Sequence, residues 1–484
     1  MLPNRRNFLS LAIGGTLLSV TALPVIAAAG GELVTLVPKT APDSLQRVKA
    51  VVEVEGQLKL NPDGQKVTTK PIKVIANYEY DEKTLALPSV GKAEATPARV
   101  VRHYSQAEAD ITIALSKMKN VLRDDVRLVA VQGSTESLTF YSPLGPLVRD
   151  ELELLKVPGE SLVWNRLLPT QAVKPGDQWK LTDATLAILL NIDVITAQDV
   201  QAKLLKVEDG LAQMELQGTA TGAIGGVGTE FELKAKYNFH LEQGQITWLA
   251  LGFKEKRAIG HAEPGYEITA RARISAAPLS SSGYLLEKNL QGIKLELDPG
   301  ALLLSHESTE GGFRLLHDRR WQVMADHRDA TILRMIDNGD LIAQCNLSRL
   351  RNLPDGKQLA LDAFQREVIS TLGKNFSQVV DTDQSTSESG LRQLRVVAAG
   401  AVQEVPVQWT YYHLTDDAGR NAAIVFTMDA QLVERFAELD RGMASSLFLK
   451  SRPIDDEPAA TAEAEKPANS TEPTATKPAT TSQK

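Results

Sequence analysis

Long stretches of the chain alternate between apolar and polar side chains, and this pattern constrains the fold more than any other feature. In residues 48–60 the even positions are apolar or glycine, while nearly all odd positions are charged or amide side chains. The same period of two returns in residues 72–80, 231–242 and 266–274. Because successive side chains of a strand point to opposite faces, one face of each strand is buried and the other meets water. One-sided alternation favours antiparallel pairing over a parallel sheet that is buried on both faces.

Turn-forming residues separate these strands, as an antiparallel sheet requires. Residues 61–64 (Asn-Pro-Asp-Gly) and 242–245 (Glu-Gln-Gly-Gln) predict hairpin connections. Residues 30–280 are therefore predicted to form a β-rich domain, a curved antiparallel sheet or partial barrel with helical insertions.

Two helical insertions are expected in this domain. Ser105 and Glu108 have the spacing of a capping box ahead of apolar residues at 111, 115, 118 and 122, which predicts a helix. Asp183 is predicted to begin a second, short apolar helix that extends to Leu190.

A break of small and turn-forming residues at 277–283 leads to a second domain, residues 290–450. A connecting strand is expected at 292–297. Apolar residues recur at every fourth position in 359–372, which predicts an amphipathic helix, and Asp429 is placed to cap a final helix. The remaining strands are predicted at about 321–325, 330–335, 341–347, 391–400, 405–414 and 421–428. This order indicates an antiparallel sheet covered by helices, so the whole chain is assigned to the α+β class.

Part of the second domain resembles a known family. The motifs are Arg320-Trp321-Gln322-Val323, the hairpin through residues 337–340 and the run Ala-Gln-Cys-Asn-Leu-Ser at 343–348. With them, residues 313–350 resemble the PsbP-like family of small exported or lumenal α/β domains, and the later helix and strands fit the same order. The resemblance implies a fold, and it carries over no active-site residue. In the first domain, residues 173–179 (Val-Lys-Pro-Gly-Asp-Gln-Trp) resemble segments of uncharacterised exported bacterial β-rich proteins.

The N-terminal residues 1–29 are typical of a secretory signal peptide. A basic start without acidic residues precedes the apolar run 8–26, and the small residues 27–29 offer a cleavage site. The motif Asn-Arg-Arg-Asn-Phe-Leu at 4–9 resembles a twin-arginine signal, with the general Sec route as the alternative. The residues assigned to the signal are Arg5, Arg6, Phe8, Leu9 and Ala27. The chain is therefore predicted to be periplasmic or secreted, with the signal peptide cleaved near residues 27–29.

The other end and the overall composition narrow the class of protein. Residues 451–484 consist mostly of Ala, Thr, Pro, Glu, Lys and Ser, which predicts a disordered tail. The net charge is only −7 and no basic stripe interleaved with aromatic residues is present, so nucleic-acid binding is disfavoured. The mature chain is expected to have no membrane-spanning segment. Cys345 is the only cysteine, so no internal disulfide forms.

The glycine cluster at residues 222–228 invites comparison with a phosphate-binding loop. It lacks the Lys-Ser/Thr ending of a P-loop and the spacing of a dinucleotide fingerprint. Because it lies between two alternating strands, a hairpin turn is the favoured prediction.

Histidines are the best candidates for a metal or catalytic site, and they are weak ones. His306, His317 and His327 lie near Asp326 and Asp329, yet no two of these histidines have the short spacing of a ligand pair. Solvated charge explains the segment equally well. No metal, cofactor or catalytic residue is therefore assigned.

Two further residues are predicted to be structural. His413 alternates in phase with the apolar residues of 405–411, which places it at the end of a core-facing strand with a local hydrogen bond; a ligand or catalytic role is the alternative. Cys345 lies in an apolar strand, which predicts a buried, unreactive thiol.

These observations favour a non-enzymatic exported protein of the cell envelope. It would act as a binding or scaffold module for a hydrophobic ligand or a protein partner. The alternative is an exported hydrolase whose unrecognised site lies near the domain junction.

Overall fold

The structure is a computed structural model that describes residues 32–61, 66–87, 98–354 and 357–451. The signal residues Arg5, Arg6, Phe8, Leu9 and Ala27, the centre of the 61–64 turn and the tail from residue 452 lie outside the described residues. We call residues 32–279 the N-terminal unit and residues 304–451 the C-terminal unit; residues 280–303 join them.

The N-terminal unit is built on one antiparallel sheet of thirteen strands. The strands are β1 (Leu45–Leu60), β2 (Thr68–Ala86), β3 (Ala98–Ile113), β4 (Ser116–Val121), β5 (Leu128–Gly133), β6 (Leu138–Tyr141), β7 (Gln178–Lys180), β8 (Val194–Gln198), β9 (Gln201–Glu208), β10 (Leu211–Ile224), β11 (Val227–His240), β12 (Gln245–Arg257) and β13 (Gly265–Leu279). Their order is β6-β5-β3-β2-β1-β13-β12-β11-β10-β9-β7, with β4 beside β3 and β8 beside β10. The sheet is open, because β6 and β7 end the order without pairing to each other among the described strands.

The predicted alternation is confirmed at the centre of this sheet. Val52 of β1 pairs with Ala76 of β2 on one side and with Ala272 of β13 on the other, and all three are buried. The charged Glu53 points to the opposite face, where it meets Arg273 at 2.8 Å. The alternating residues therefore separate a buried face from a solvated one, as one-sided strands must.

The helix predicted from Ser105 and Glu108 is wrong, because residues 98–121 form β3 and β4. The sheet register explains the error. Glu79 pairs with Gln106 and Tyr80 pairs with Tyr104, so Ser105 bulges out of the ladder. The bulge moves the buried positions from even numbers before it to odd numbers after it, which destroys the period of two in the sequence.

Helices cover the buried face of the sheet. The predicted helix is confirmed as α2 (Asp183–Leu190), and α1 (Arg149–Leu155) was not predicted. Residues 161–167 add two turns of 3₁₀ helix. Apolar side chains of these three segments and of the strands form one continuous core. The apolar face of the sheet is thus already occupied by the chain itself.

The joining segment packs on the opposite face of the sheet. Its helix α3 (Glu287–Leu290) and Leu285 lie against an apolar patch that contains Val101 and Leu128. The strand expected at 292–297 is wrong: these residues form no strand, and the carbonyl of Leu295 accepts a 2.7 Å hydrogen bond from the Tyr141 hydroxyl. The connection between the units is therefore docked along much of its length.

The C-terminal unit contains two antiparallel sheets with helices. The elements are β14 (Leu304–Ser308), β15 (Phe313–His317), β16 (Trp321–Asp326), β17 (Thr331–Asp337), β18 (Asp340–Arg349), α4 (Leu361–Leu372), β19 (Phe376–Thr386), β20 (Arg392–Val402), β21 (Val405–Thr415), β22 (Asn421–Asp429), α5 (Val433–Phe436), α6 (Leu439–Ser445) and β23 (Phe448–Leu449). The larger sheet has the order β16-β17-β18-β22-β21-β20-β19, and the smaller has the order β14-β15-β23. The predicted α+β class and the helix at 359–372 are confirmed.

Helices pack on both faces of the larger sheet. Helix α4 covers one face through Phe364 and Val368, which contact Leu394 and its neighbours. Helices α5 and α6 cover the other face, where Phe436 packs near Trp321. The predicted final helix is therefore two short helices; Ala437 and Glu438 separate them with positive φ angles of 53° and 56°, which interrupt a right-handed helix.

Candidate functional site: the cleft between the two units

A cleft of about 930 Å³ lies between the N-terminal and C-terminal units. The N-terminal unit contributes the β5–β6 turn, α1, α2, the β10–β11 turn and the loop 258–264. The C-terminal unit contributes residues 319–322 and the β17–β18 turn. Because both units line it, the cleft exists only when both are folded and in contact.

The lining combines an apolar wall with charged side chains. The partly exposed apolar lining residues include Leu138, Val157, Ile224, Val227 and Ile336; bordering the cleft behind them are the core residues Phe140, Leu152, Ile188 and Ile192, which are 5% exposed or less. The basic lining residues are Arg149, Lys156, Arg257, Arg319 and Arg320, and the acidic ones are Glu136, Asp150, Glu153, Glu160, Asp193, Glu263 and Asp337. A ligand in this cleft would meet apolar surface and ionic groups together, as in many small-molecule sites.

One arginine from each unit reaches the backbone of the other unit. Arg149, the first residue of α1, donates from Nη2 to the carbonyls of Arg319 and Trp321, the latter at 2.9 Å. Arg319 donates from Nη2 to the carbonyl of Phe140 and from Nε to that of Leu302 in the joining segment, both at 2.7 Å. These bonds hold the units together through oxygens that carry no full negative charge.

The charges of this arginine pair are only partly balanced. Within the described part of the chain, Arg319 forms no ion pair with a carboxylate; burial and the neighbouring Arg149 lower its pKa to about 10. Arg149 has Glu153 at 3.5 Å, but Lys156 lies closer to that same carboxylate, at 3.0 Å. The Nε of Arg149 is buried and has no hydrogen-bond partner among the described residues.

Other basic residues of the cleft are neutralised by their own carboxylates. Arg320 meets Asp318 at 2.8 Å, and Arg257 meets Glu255 at 2.6 Å. Hydrogen bonding to Asp318, opposed by partial burial, raises the pKa of Arg320. The pair of Arg149 and Arg319 therefore lacks a carboxylate partner as close as those of Arg320 and Arg257, although other carboxylates line the cleft.

Two hairpin turns meet at the edge of the cleft, one from each unit. The glycine cluster at 222–228 forms the β10–β11 hairpin, which confirms the predicted turn. A Cβ on Gly226 would lie 2.2 Å from Cα of Gly339 in the β17–β18 turn, and both glycines have positive φ. The glycines therefore permit close backbone contact between the units, and that is their function in this structure.

A buried ionic cluster lies behind the cleft, inside the N-terminal unit. Arg102 of β3 contacts Glu82 of β2 at 2.7 Å through Nε and Glu160 at 3.1 Å through Nη1, and Glu160 also lines the cleft. Arg102 is 1% exposed and lies 4.7 Å above the Tyr80 ring centroid. The adjoining void is about 10 Å³, which suits one water molecule at most.

The cluster shifts the titration of its members. Burial disfavours the charged form of Arg102, but Glu160 and the other acidic groups outweigh that effect and raise the pKa of Arg102. Burial raises the pKa of Tyr104 to about 12. Both side chains thus keep their ordinary protonation states throughout the neutral range.

The sequence contained an unused signal for this cluster. Arg102 has the same strand phase as the buried Val100, and Glu82 has the same phase as the buried Tyr80. Arg102 and Glu82 are moreover direct partners in the sheet register. Opposite charges at apolar-phase positions of neighbouring strands predict a buried ion pair, whereas Arg149 and Arg319 carry no comparable signal.

The candidate histidines do not converge. His306 Nε2 is 3.5 Å from Asp326, buried His317 donates from Nδ1 to the Asp318 carbonyl at 2.9 Å, and His327 is exposed. Burial lowers the pKa of His317 to about 4. No group of three or more His, Cys, Asp or Glu side chains suited to a metal occurs in the described residues.

The two residues predicted to be structural are buried. His413 lies 5% exposed in β21, with Nδ1 at 3.2 Å from the Thr415 hydroxyl, as predicted. Cys345 is fully buried with its sulfur 4.0 Å from that of Met443, and burial raises its thiol pKa. A neutral thiol without solvent contact is a poor nucleophile.

Within the described ranges, no helix has the length and apolar character needed to cross a membrane.

Comparisons with known proteins identify no family and only remote structural likenesses. No family model matches the chain, and no curated protein matches it. The chain is similar to a solved PsbP from the cyanobacterium Synechocystis sp. PCC 6803, with 15% identity, 31% of this chain and 93% of that chain covered, and a TM-score of 0.24. A Mog1 mutant is similar at 7% identity over 32% of this chain and 98% of its own, with a TM-score of 0.26.

A third likeness is to lipovitellin, in a structure described by its lipid–protein interactions. The identity is 9%, the coverage is 56% of this chain and 29% of lipovitellin, and the TM-score is 0.30. At a TM-score of 0.24 the PsbP likeness adds no argument for the PsbP-like resemblance, and none of the three likenesses bears on the resemblance of residues 173–179 to exported β-rich proteins. With TM-scores this low, these likenesses carry no argument about function.

Proposed function

We propose that this protein is a non-enzymatic exported module of the cell envelope, periplasmic or secreted, whose cleft between the two units binds its ligand or partner. The sequence of residues 1–29, with its paired arginines, supports export. The observation that carries the proposal is the cleft of about 930 Å³, lined by ionic and apolar groups of both units.

The cleft is a better ligand site than the apolar face of the first sheet. That face could enclose a hydrophobic ligand only if it were open. Helices α1 and α2 and residues 161–167 fill it, and the void beside Arg102 is about 10 Å³. We therefore place any apolar part of a ligand against the wall of the cleft that contains Ile224 and Val227.

The hydrolase alternative would use the same cleft. It requires a nucleophile or a water molecule beside a general base. Of the described residues that line the cleft, His261 is the one histidine, and its backbone carbonyl accepts a hydrogen bond from Arg334 at 3.2 Å. No observation of the cleft favours hydrolysis over binding, so binding is the function that we propose.

Native mass spectrometry tests the proposal. The full chain, purified from the exported fraction of its own cells, is expected to carry a bound mass beyond that of the polypeptide. The Ala262→Trp variant places a large ring in the cleft, since Ala262 lines it, and should lose that mass. Ala418→Trp, in the exposed turn between β21 and β22, is the matched control and should retain it. A bare polypeptide, or equal retention by Ala262→Trp and Ala418→Trp, would contradict the proposal.

A further inference from the structure

We propose that Arg149 and Arg319 together bind an oxyanion group, a carboxylate or a phosphate, on the ligand that occupies the cleft. This inference rests on the proposed function and specifies the chemistry of the same site. It concerns two residues from opposite units that lie 170 positions apart in sequence and are brought together only by the packing of the units.

The first argument is charge. Two guanidinium groups lie at the junction, and their principal partners are the carbonyls of Phe140, Leu302 and Trp321. Taking cations out of water is costly unless an opposite charge compensates them. The carboxylate within ion-pair distance of Arg149, that of Glu153, is shared with Lys156. An anion bound here would supply the compensation that the chain itself supplies to Arg320 and Arg257.

The second argument is unused donor capacity. A guanidinium carries five N–H donors in a planar fork that matches the oxygens of carboxylate and phosphate. Arg319 uses Nε and Nη2, and its Nη1 makes no hydrogen bond to the described chain. The Nε of Arg149 is buried and likewise unpaired among the described residues. Both side chains line the cleft, so a ligand there lies beside the free Nη1 of Arg319, whereas the Nε of Arg149 becomes available only if that side chain moves.

A purely structural role of the same arginines makes a different prediction. If they only hold the units together, the unmodified chain has no anion site between them, and the replacements change only the contact between the units that line the cleft. The binding role requires that anion affinity depend on Arg149 and Arg319 and not on Arg320, which lines the same cleft but is paired with Asp318. Arg320 is therefore a matched control for charge and location.

The experiment is isothermal titration calorimetry of the full chain at low salt, with pyrophosphate and citrate as the two probes. At least one probe should bind with a stoichiometry of one. Pyrophosphate alone would indicate a phosphate-bearing ligand, and citrate alone a carboxylate-bearing one. Arg319→Gln and Arg149→Gln should each weaken binding by about tenfold or more, as expected for loss of a charge-assisted pair, while Arg320→Gln should change it less than about threefold.

A variant that fails to fold would not leave the proposal undecided. In the unmodified chain, affinity should fall severalfold when NaCl is raised from about 50 to about 300 mM, because salt screens ionic contacts. Arg319→Lys keeps the charge and should bind more tightly than Arg319→Gln. Binding that is insensitive to salt, an Arg320→Gln effect as large as that of Arg319→Gln, or no binding of either probe would overturn the proposal.

The two proposals fail separately. If neither anion binds, but a co-purifying mass is still lost from Ala262→Trp, the cleft is a ligand site of different chemistry and only the oxyanion inference is wrong. If the unmodified chain also carries no bound mass, the proposed function is wrong as well.

Discussion

Arg102 is fully buried and Arg319 is partly buried, and the two differ in what balances their charge. Arg102 lies inside the N-terminal unit between two carboxylates, those of Glu82 and Glu160, beside a void of about 10 Å³. Arg319 lies at the junction of the units, bonded to carbonyls, beside a cleft of about 930 Å³. The charge of Arg102 is balanced without a ligand, whereas Arg319 has an unused hydrogen-bond donor and lies beside a space large enough for a ligand. The comparison separates a structural ionic cluster from a binding site by charge balance, a distinction that burial alone does not make.

The largest effect is expected from Arg102→Met. The substitution leaves Glu82 and Glu160 buried, at 3% and 5% exposure, without their cation. Breaking a buried ionic cluster in this way costs about 3–5 kcal/mol of unfolding free energy. Denaturant unfolding measures the loss.

Arg273→Met is the control for this prediction. Arg273 pairs with Glu53 at 2.8 Å on the solvated face of the same sheet, with its side chain 59% exposed. Its replacement should cost no more than about 1 kcal/mol. Equal losses for Arg102→Met and Arg273→Met would contradict the claim that Arg102 belongs to a structural ionic cluster.

The second effect is a dependence on pH near the junction. His317 directly precedes the Asp318–Arg319 segment, and burial lowers its pKa from 6.5 to about 4. Between these two pH values the unfolded chain binds a proton that the folded chain does not, so stability falls as the pH decreases through this window. The loss should approach about 3 kcal/mol at pH 4.

Replacement of His317 isolates this contribution. The unfolding free energy of the unmodified chain minus that of His317→Asn should be about 2–3 kcal/mol lower at pH 4.5 than at pH 7. A constant difference would mean that His317 titrates normally in the folded chain.

The third effect tests the contact between the two hairpin turns. Alanine at Gly226 must adopt a φ near 75° and would also collide with Gly339, whereas alanine at Gly225 meets the φ penalty with no atom within 4 Å. The φ penalty is about 1–2 kcal/mol, and the collision adds roughly 1–3 kcal/mol. Thermal unfolding should therefore rank Gly226→Ala below Gly225→Ala. If the two variants are equally stable, the turns do not press against each other.

The sequence predicted the fold where a local pattern determined it. Alternation over 48–60 and 231–242 placed strands β1 and β11, because a buried face imposes a period of two. It failed at 105–122, where the bulge at Ser105 shifts the phase of β3 and leaves a spacing that resembles a helix. The final helix was predicted at the right position but as one continuous helix. Ala437 interrupts it with a left-handed conformation that the local sequence does not predict.

The domain junction was named as the location of the alternative hydrolase site, but the residues of the candidate site could not be predicted from the sequence. Arg149 and Arg319 belong to different units, and neither lies in a motif, so only the packing of the units brings them together. The histidines 306, 317 and 327 cluster in sequence, but the structure gives each a different environment. His306 lies near Asp326, His317 is buried and His327 is exposed. Clustering along the chain was thus a poor guide to a site formed between units.

The most direct test of the comparison is the NMR spectrum of arginine Nε–H groups in the ¹⁵N-arginine-labelled full chain, recorded with and without pyrophosphate and assigned with the Arg102, Arg149 and Arg319 variants. We predict that the Arg102 signal exchanges slowly with solvent and does not move, because Glu82 and Glu160 already occupy its donors. The Arg149 and Arg319 signals should shift together as the anion binds. Shifts of all three signals by similar amounts, or of none, would contradict the account.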